Sequence, residues 1–189
     1  MTNEAENSET RYRIDAERGS FNVQAYAEGM LSFMGHNPTF AVRRYGGEIQ
    51  FAAGDRAVES MLVVAEADSL SLRDNVSQKD RAEIENTMRD DVLETDKFSE
   101  IYFVSKDVSV TEKSNGKFSV SASGVISLHG ETIPKTIEAE AEINNGNIRA
   151  SGKFSLRQSD FNIEQVKALG GTLKVKDEVK ISFEIAAQI

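Results

Sequence analysis

The chain has 189 residues, with 31 acidic against 22 basic side chains, a formal charge of −9 and no cysteine. This composition excludes disulfides, thiolate nucleophiles and cysteine metal sites, and a field of that sign repels nucleic-acid phosphates and anionic membrane surfaces. The length suits one domain, and no apolar segment approaches the ~20 residues of an integral membrane helix.

The first ten residues include Asn3, Glu4, Glu6, Asn7, Ser8 and Glu9 and no apolar run. Residues 1–10 are therefore expected to form a polar disordered terminus, not a signal peptide, with 11–189 the folded domain and the chain cytoplasmic. Residues 12–15 and 19–26 then alternate as short strands, Phe21, Val23 and Ala25 sharing one face. After Leu31, Phe33 and Met34, the cluster Gly35, His36, Asn37 and Pro38 breaks strand pairing and predicts an irregular apolar loop or lid over residues 30–40. Residues 41–45 and 48–53 read as a hairpin around Gly46 and Gly47, and residues 60–67 as the next strand after a turn at Gly54 and Asp55.

Between residues 78 and 95 the apolar period lengthens from two to about 3.6, which predicts a helix. Ile84, Met88 and Val92 stack on one face, Glu83, Glu85, Arg89, Asp90 and Asp91 cover the rest, and Ser77 is placed to cap the start with Asp80 three residues on. Strand patterning returns over residues 100–110, with Ile101 and Phe103 opposed to Tyr102 and Val104, before a turn at Ser114, Asn115 and Gly116.

Three consecutive strands follow over residues 118–157. Phe118, Val120, Ala122, Gly124, Ile126 and Leu128 share a face in the first; Ile137, Ala139, Ala141 and Ile143 in the second; Ile148, Ala150, Gly152, Phe154 and Leu156 in the third. A four-residue turn at 144–147 sets Ile143 opposite Ile148, Glu142 opposite Arg149 and Glu138 opposite Lys153, so opposite charges meet on the outer face. Residues 174–187 close the chain with Val175, Val179, Ile181, Phe183 and Ile185 on one side. Many strands, one helix and hairpin-scale links imply a mainly β protein, an antiparallel sheet curled into a single barrel. An inner wall rich in alanine and glycine fills little volume, which leaves either a thin core or a hollow.

The order of these segments resembles the YceI family. The matching stretches are Tyr12-Arg-Ile-Asp15, the Gly35-His36 turn, Leu93-Glu-Thr-Asp-Lys-Phe98, Ile101-Tyr-Phe-Val-Ser105, Gly124-Val-Ile-Ser-Leu-His-Gly130, Ser159-Asp-Phe-Asn-Ile163 and Lys176-Asp-Glu-Val-Lys-Ile181. The resemblance implies a lipocalin-like barrel that holds a long lipid such as a polyisoprenoid, and homodimers are compatible with it. The Gly-His turn is similar to that of leaderless, cytoplasmic-type members.

A cavity for an isoprenoid or acyl chain needs a long apolar tunnel. Candidate liners are Phe33, Met34, Phe40, Phe51, Met61, Leu93, Phe98, Phe103 and Leu128, with Ala139, Ala150 and Gly152 giving room and His36 beside a polar head group. The same apolar residues also serve ordinary core packing. His36 and His129 could form acid–base pairs with a carboxylate, the basis of an isomerase or hydrolase alternative, or could stabilise turns. Asp68, Asp74 and Asp160 have no pairing spacing, and no zinc, nucleotide or serine-nucleophile motif occurs. The expectation is an amphiphile-binding barrel without cofactor, metal or catalytic residues, the further alternative being a structural or partner-binding module.

Overall fold

The computed structural model describes residues 9–28, 37–52, 57–144, 146–168 and 173–189. Its strands are β1 (Thr10–Gln24), β2 (Ala27–Glu28), β3 (Thr39–Val42), β4 (Tyr45–Phe51), β5 (Val58–Glu66), β6 (Leu70–Leu72), β7 (Glu100–Ser114), β8 (Lys117–Leu128), β9 (Glu131–Asn144), β10 (Asn147–Arg157), β11 (Lys167–Ala168), β12 (Leu173–Val175) and β13 (Glu178–Gln188). Eight of them close an antiparallel barrel in the order β1, β4, β5, β7, β8, β9, β10 and β13, with β13 returning to β1. The short strands β3 and β6 extend the sheet beyond the far half of β1, and β2, β11 and β12 form a separate small sheet.

β1 is one long strand where the sequence pattern reads as two. Its register against β13 shifts between Asp15 and Ser20 by three residues. An odd shift swaps the faces, so Tyr12 and Ile14 point inward before it and Phe21 and Val23 after it. β7 does the same with one extra residue, since Ser105 faces Gly124 but Asp107 faces Ser123. That bulge lets Ile101 and Phe103, and then Val108 and Val110, all face the interior.

The expected hairpin around Gly46 and Gly47 does not form. Both glycines lie within β4, whose partners are β1 and β5, while β3 pairs with β1 and β6. Gly47 has φ +142°, and a Cβ there would sit 1.9 Å from the Leu62 carbonyl oxygen. The pair therefore marks close approach of two strands, the other use of a strand glycine. Gly54 and Asp55 lie outside the described residues.

The helix α1 (Gln78–Asn86) begins as expected, with the Ser77 hydroxyl accepting the Asp80 N–H at 3.1 Å. It continues through a π-helical turn (Thr87–Val92), in which the Leu93 N–H donates to Met88 O at 3.0 Å. Met88 is buried, with Ile84 and Val92 packed against the same core.

The β8–β9–β10 run matches the sequence reading: Ile143 faces Ile148, and Glu142 faces Arg149. The ion pairs run to the other neighbours, Lys117 with Glu142 at 3.4 Å and Arg149 with Glu184 at 3.1 Å. Every barrel strand has two flanks, and the side chain chooses between them. Pairing of β9 with β10 extends only to Ala139 opposite Gly152, so the expected Glu138–Lys153 pairing falls where the strands part. Phe161, 1% exposed, packs beside this seam from the 3₁₀ turn Gln158–Phe161.

Candidate functional site

The barrel encloses a cavity of about 1420 Å³. Its wall is built from the inward face of every barrel strand, because alternation sends one side chain in two to the interior. Phe118, Val120, Ala122, Ile126 and Leu128 come from β8, Ile137, Ala139, Ala141 and Ile143 from β9, and Ile148, Ala150, Phe154 and Leu156 from β10. Val179, Ile181, Phe183 and Ile185 of β13 line it as expected, and Val175 joins them from β12. At one end α1 and its π turn close over the barrel, contributing Ile84, Met88, Val92 and Leu93.

Of the candidate liners, Phe40, Phe51, Met61, Leu93, Phe103, Leu128, Ala139 and Ala150 stand in this wall. Phe40 does so from β3, as a strand residue and not as part of a loop. Phe33, Met34 and His36, and with them most of the expected lid, lie outside the described residues. Gly152 gives no room: a Cβ there would meet the Glu138 carbonyl oxygen at 2.5 Å and the Phe183 ring at 2.6 Å. The space beside the glycine is already occupied by phenylalanine, whereas the space beside the two alanines belongs to the cavity. Phe98 turns away from the wall, its ring centroid 4.5 Å from that of His129 and its edge against Gly130.

His129 is likewise off the cavity. Its Nδ1 lies 3.0 Å from Phe161 O and its Nε2 2.9 Å from Glu94 Oε2, so a turn, a 3₁₀ segment and the loop after the helix are tied together. Because a carbonyl only accepts, Nδ1 carries the hydrogen in the contact with Phe161 O. Glu94 is held below the usual carboxylate range, first by its hydrogen bond from Lys97 and then by that from His129. Both ring nitrogens are thus engaged in structural contacts. Asp68 is paired with Arg44 at 2.7 Å, and Asp74 accepts the Thr39 N–H at 2.8 Å; among the described residues neither bonds a histidine.

Polar liners missed by the strand patterning lie mostly at the two ends. Asp80, Glu83 and Thr87 stand at the helix end with Gln158, while Thr10, Glu112 and Asn115 stand at the hairpin end. The signal for the first group was present in the helical spacing, since positions 80, 83 and 87 flank the inward stripe of Ile84 and Met88. A smaller recess of about 270 Å³ lies in the β9–β10 seam. Lys135 borders it and donates from Nζ to Ser155 O at 2.6 Å.

The domain family described as YceI-like domain matches residues 12–187. Among solved structures, BcnA of Burkholderia cenocepacia is similar with a TM-score of 0.68 at 15% identity, over 93% of this chain and 99% of that one. A polyisoprenoid binding domain from Saccharophagus degradans, implicated in plant cell wall breakdown, gives 0.69 at 15% identity, over 94% and 97%. The Campylobacter jejuni YCEI protein gives 0.60 at 16% identity, over 82% and 86%. No curated protein sequence matches the chain. At such identities the structural likeness is one of fold.

Proposed function

This chain belongs to the YceI-like domain family, and from that membership we propose that its barrel binds an amphiphilic lipid with a long apolar tail, of polyisoprenoid or fatty-acyl type, for storage or transport and without catalysis. The observation that carries the reading is the cavity of about 1420 Å³ walled by aliphatic and aromatic side chains. Water in such a space has few polar partners, whereas each buried methylene of a tail contributes ~0.8 kcal/mol. The similar domain from Saccharophagus degradans, which bears the description polyisoprenoid binding, supports the same ligand class.

The catalytic alternative has less support. Among the described residues no histidine lines the cavity, and both ring nitrogens of His129 face structural partners. The carrier reading is tested by native mass spectrometry of the purified protein, followed by solvent extraction. A bound species with a long hydrocarbon tail is expected; an empty protein that also fails to take up added apolar chains would refute the proposal.

A further inference from the structure

The charged side chains that line the cavity among the described residues are all carboxylates: Asp80 and Glu83 at the helix end and Glu112 at the other. Among the described residues no lysine, arginine or histidine joins them in the wall. Asp80 and Glu83 are exposed, and they stand one helical turn apart on the face that also presents Ile84 to the interior. A polar head left at this rim by a buried tail would sit beside two negative charges. The α1 N-terminus carries only about half a positive charge to set against them.

Two of the nearby cations are directed elsewhere, while Lys79 stands exposed beside Asp80 on the same helix. The Arg81 guanidinium donates to Leu72 O and Asp74 O. The Lys135 ammonium borders the seam recess and bonds Ser155 O.

We propose that the cavity sorts its amphiphiles by head-group charge, taking amine-type cationic heads ahead of neutral ones and neutral heads ahead of carboxylates or phosphates. This rests on the reading of the barrel as a lipid binder, and it narrows the ligand class within that reading. A tail of fixed length gains the same burial whatever its head, so the rim charges decide the order. Interactions at an exposed rim are screened by salt, with a Debye length of about 10 Å at 0.1 M and 3 Å at 1 M.

The test uses the full chain and three probes with one tail: hexadecylamine, hexadecanol and palmitate, each displacing a neutral fluorescent apolar dye at low salt. The amine is expected to displace it at a concentration at least about tenfold below palmitate, a difference equivalent to about 1.4 kcal/mol, with the alcohol between them. In an Asp80→Asn, Glu83→Gln double variant, checked for an unchanged melting curve, the amine-to-palmitate ratio should fall toward one, as it should for the unaltered protein in 1 M salt. Palmitate binding as tightly as the amine, or a ratio indifferent to the double substitution, overturns the charge sorting while leaving the lipid-binding reading intact. Failure of all three probes, hexadecanol included, overturns both.

Discussion

His129 Nε2 lies 2.9 Å from Glu94 Oε2, and both residues hold a left-handed backbone, at φ +51° and +45°. The third non-glycine residue of this kind among those described, Asn162 at φ +55°, directly follows the residue whose carbonyl faces the other ring nitrogen. Asn162 also donates from its side chain to Glu131 Oε1 at 2.7 Å, across the same turn. Three strained positions thus converge on one junction, where the helix loop, the β8–β9 turn and the 3₁₀ segment meet. Strain of this kind persists only where the surroundings over-determine it.

His129→Ala should therefore lose the bond to Phe161 O and retain the unfavourable φ, costing about 1–3 kcal/mol. For a domain of this size that corresponds to a melting temperature lower by roughly 3–10 °C. His129→Gly loses the same bonds but accepts the backbone freely, so it should fall short of the alanine variant's loss by about 1 kcal/mol. Thermal and urea melts decide the matter. An alanine variant that melts with the parent protein would mean that the junction does not hold the fold.

Acid should loosen the same region. Glu94 is depressed by Lys97 and then by His129, and Asp177 by the Ser159 hydroxyl and then the Ser159 N–H. A carboxylate with a depressed folded value contributes its full stabilisation above the unfolded value, about 4.3 for Glu and 3.9 for Asp. That contribution is lost as pH falls through the folded value. The urea midpoint of the parent protein should consequently drop below about pH 4, and the gap between it and Glu94→Gln should shrink from pH 6 to pH 3. A gap that stays constant over this range would contradict the assignment.

The alanines and the glycine of the inner wall make opposite predictions. Ala139→Leu and Ala150→Leu project new methyl groups into free volume, so stability should change by less than about 1.5 kcal/mol while the mass of tail retained falls. Gly152→Ala instead drives a Cβ into the Glu138 carbonyl and the Phe183 ring, which should cost about 1–3 kcal/mol without enlarging or reducing the ligand. Native mass spectra of the three variants with melting curves separate the outcomes. Equal destabilisation by all three would mean that the wall behind the alanines is packed.

The contrast shows where the sequence was readable. Alternation and short turns determine β8, β9 and β10 because register and face follow from a period of two, and the helix start follows from Ser77 and its hydroxyl. Bulges are different: the extra residues in β1 and β7 invert the faces, and although Gly19 stands inside the irregular stretch of β1, nothing in the sequence tells that glycine from a turn, so the pattern resembles two strands or a weak one. Phe98 and Phe103 look alike in sequence, yet one packs on His129 and the other lines the cavity. Their roles separate only once the loop after the helix is placed in three dimensions. Asp80 and Glu83 pass for an ordinary solvated helix face until that face is seen at the rim.

Gly46 and Gly47 provide the sharpest local test, because adjacent glycines in one strand meet opposite surroundings. A Cβ at Gly46 has nothing within 4 Å, whereas at Gly47 it would overlap the Leu62 carbonyl in a backbone conformation that side chains rarely adopt. Gly46→Ala should be neutral or add up to about 1 kcal/mol by restricting the unfolded chain. Gly47→Ala must push β4 away from β5, disturbing the pairing of Gly47 with Val63 and of Glu48 with Leu62, and should lose at least about 2 kcal/mol. If Gly47 were a hairpin turn residue, its substitution would strain a local turn but leave the β4–β5 amides as protected from hydrogen exchange as before. Faster exchange at Leu62 and Val64, whose N–H groups face β4 while that of Met61 donates to Ser105 Oγ, is the expected result in Gly47→Ala, with none in Gly46→Ala, and the reverse order would sink the strand-contact explanation.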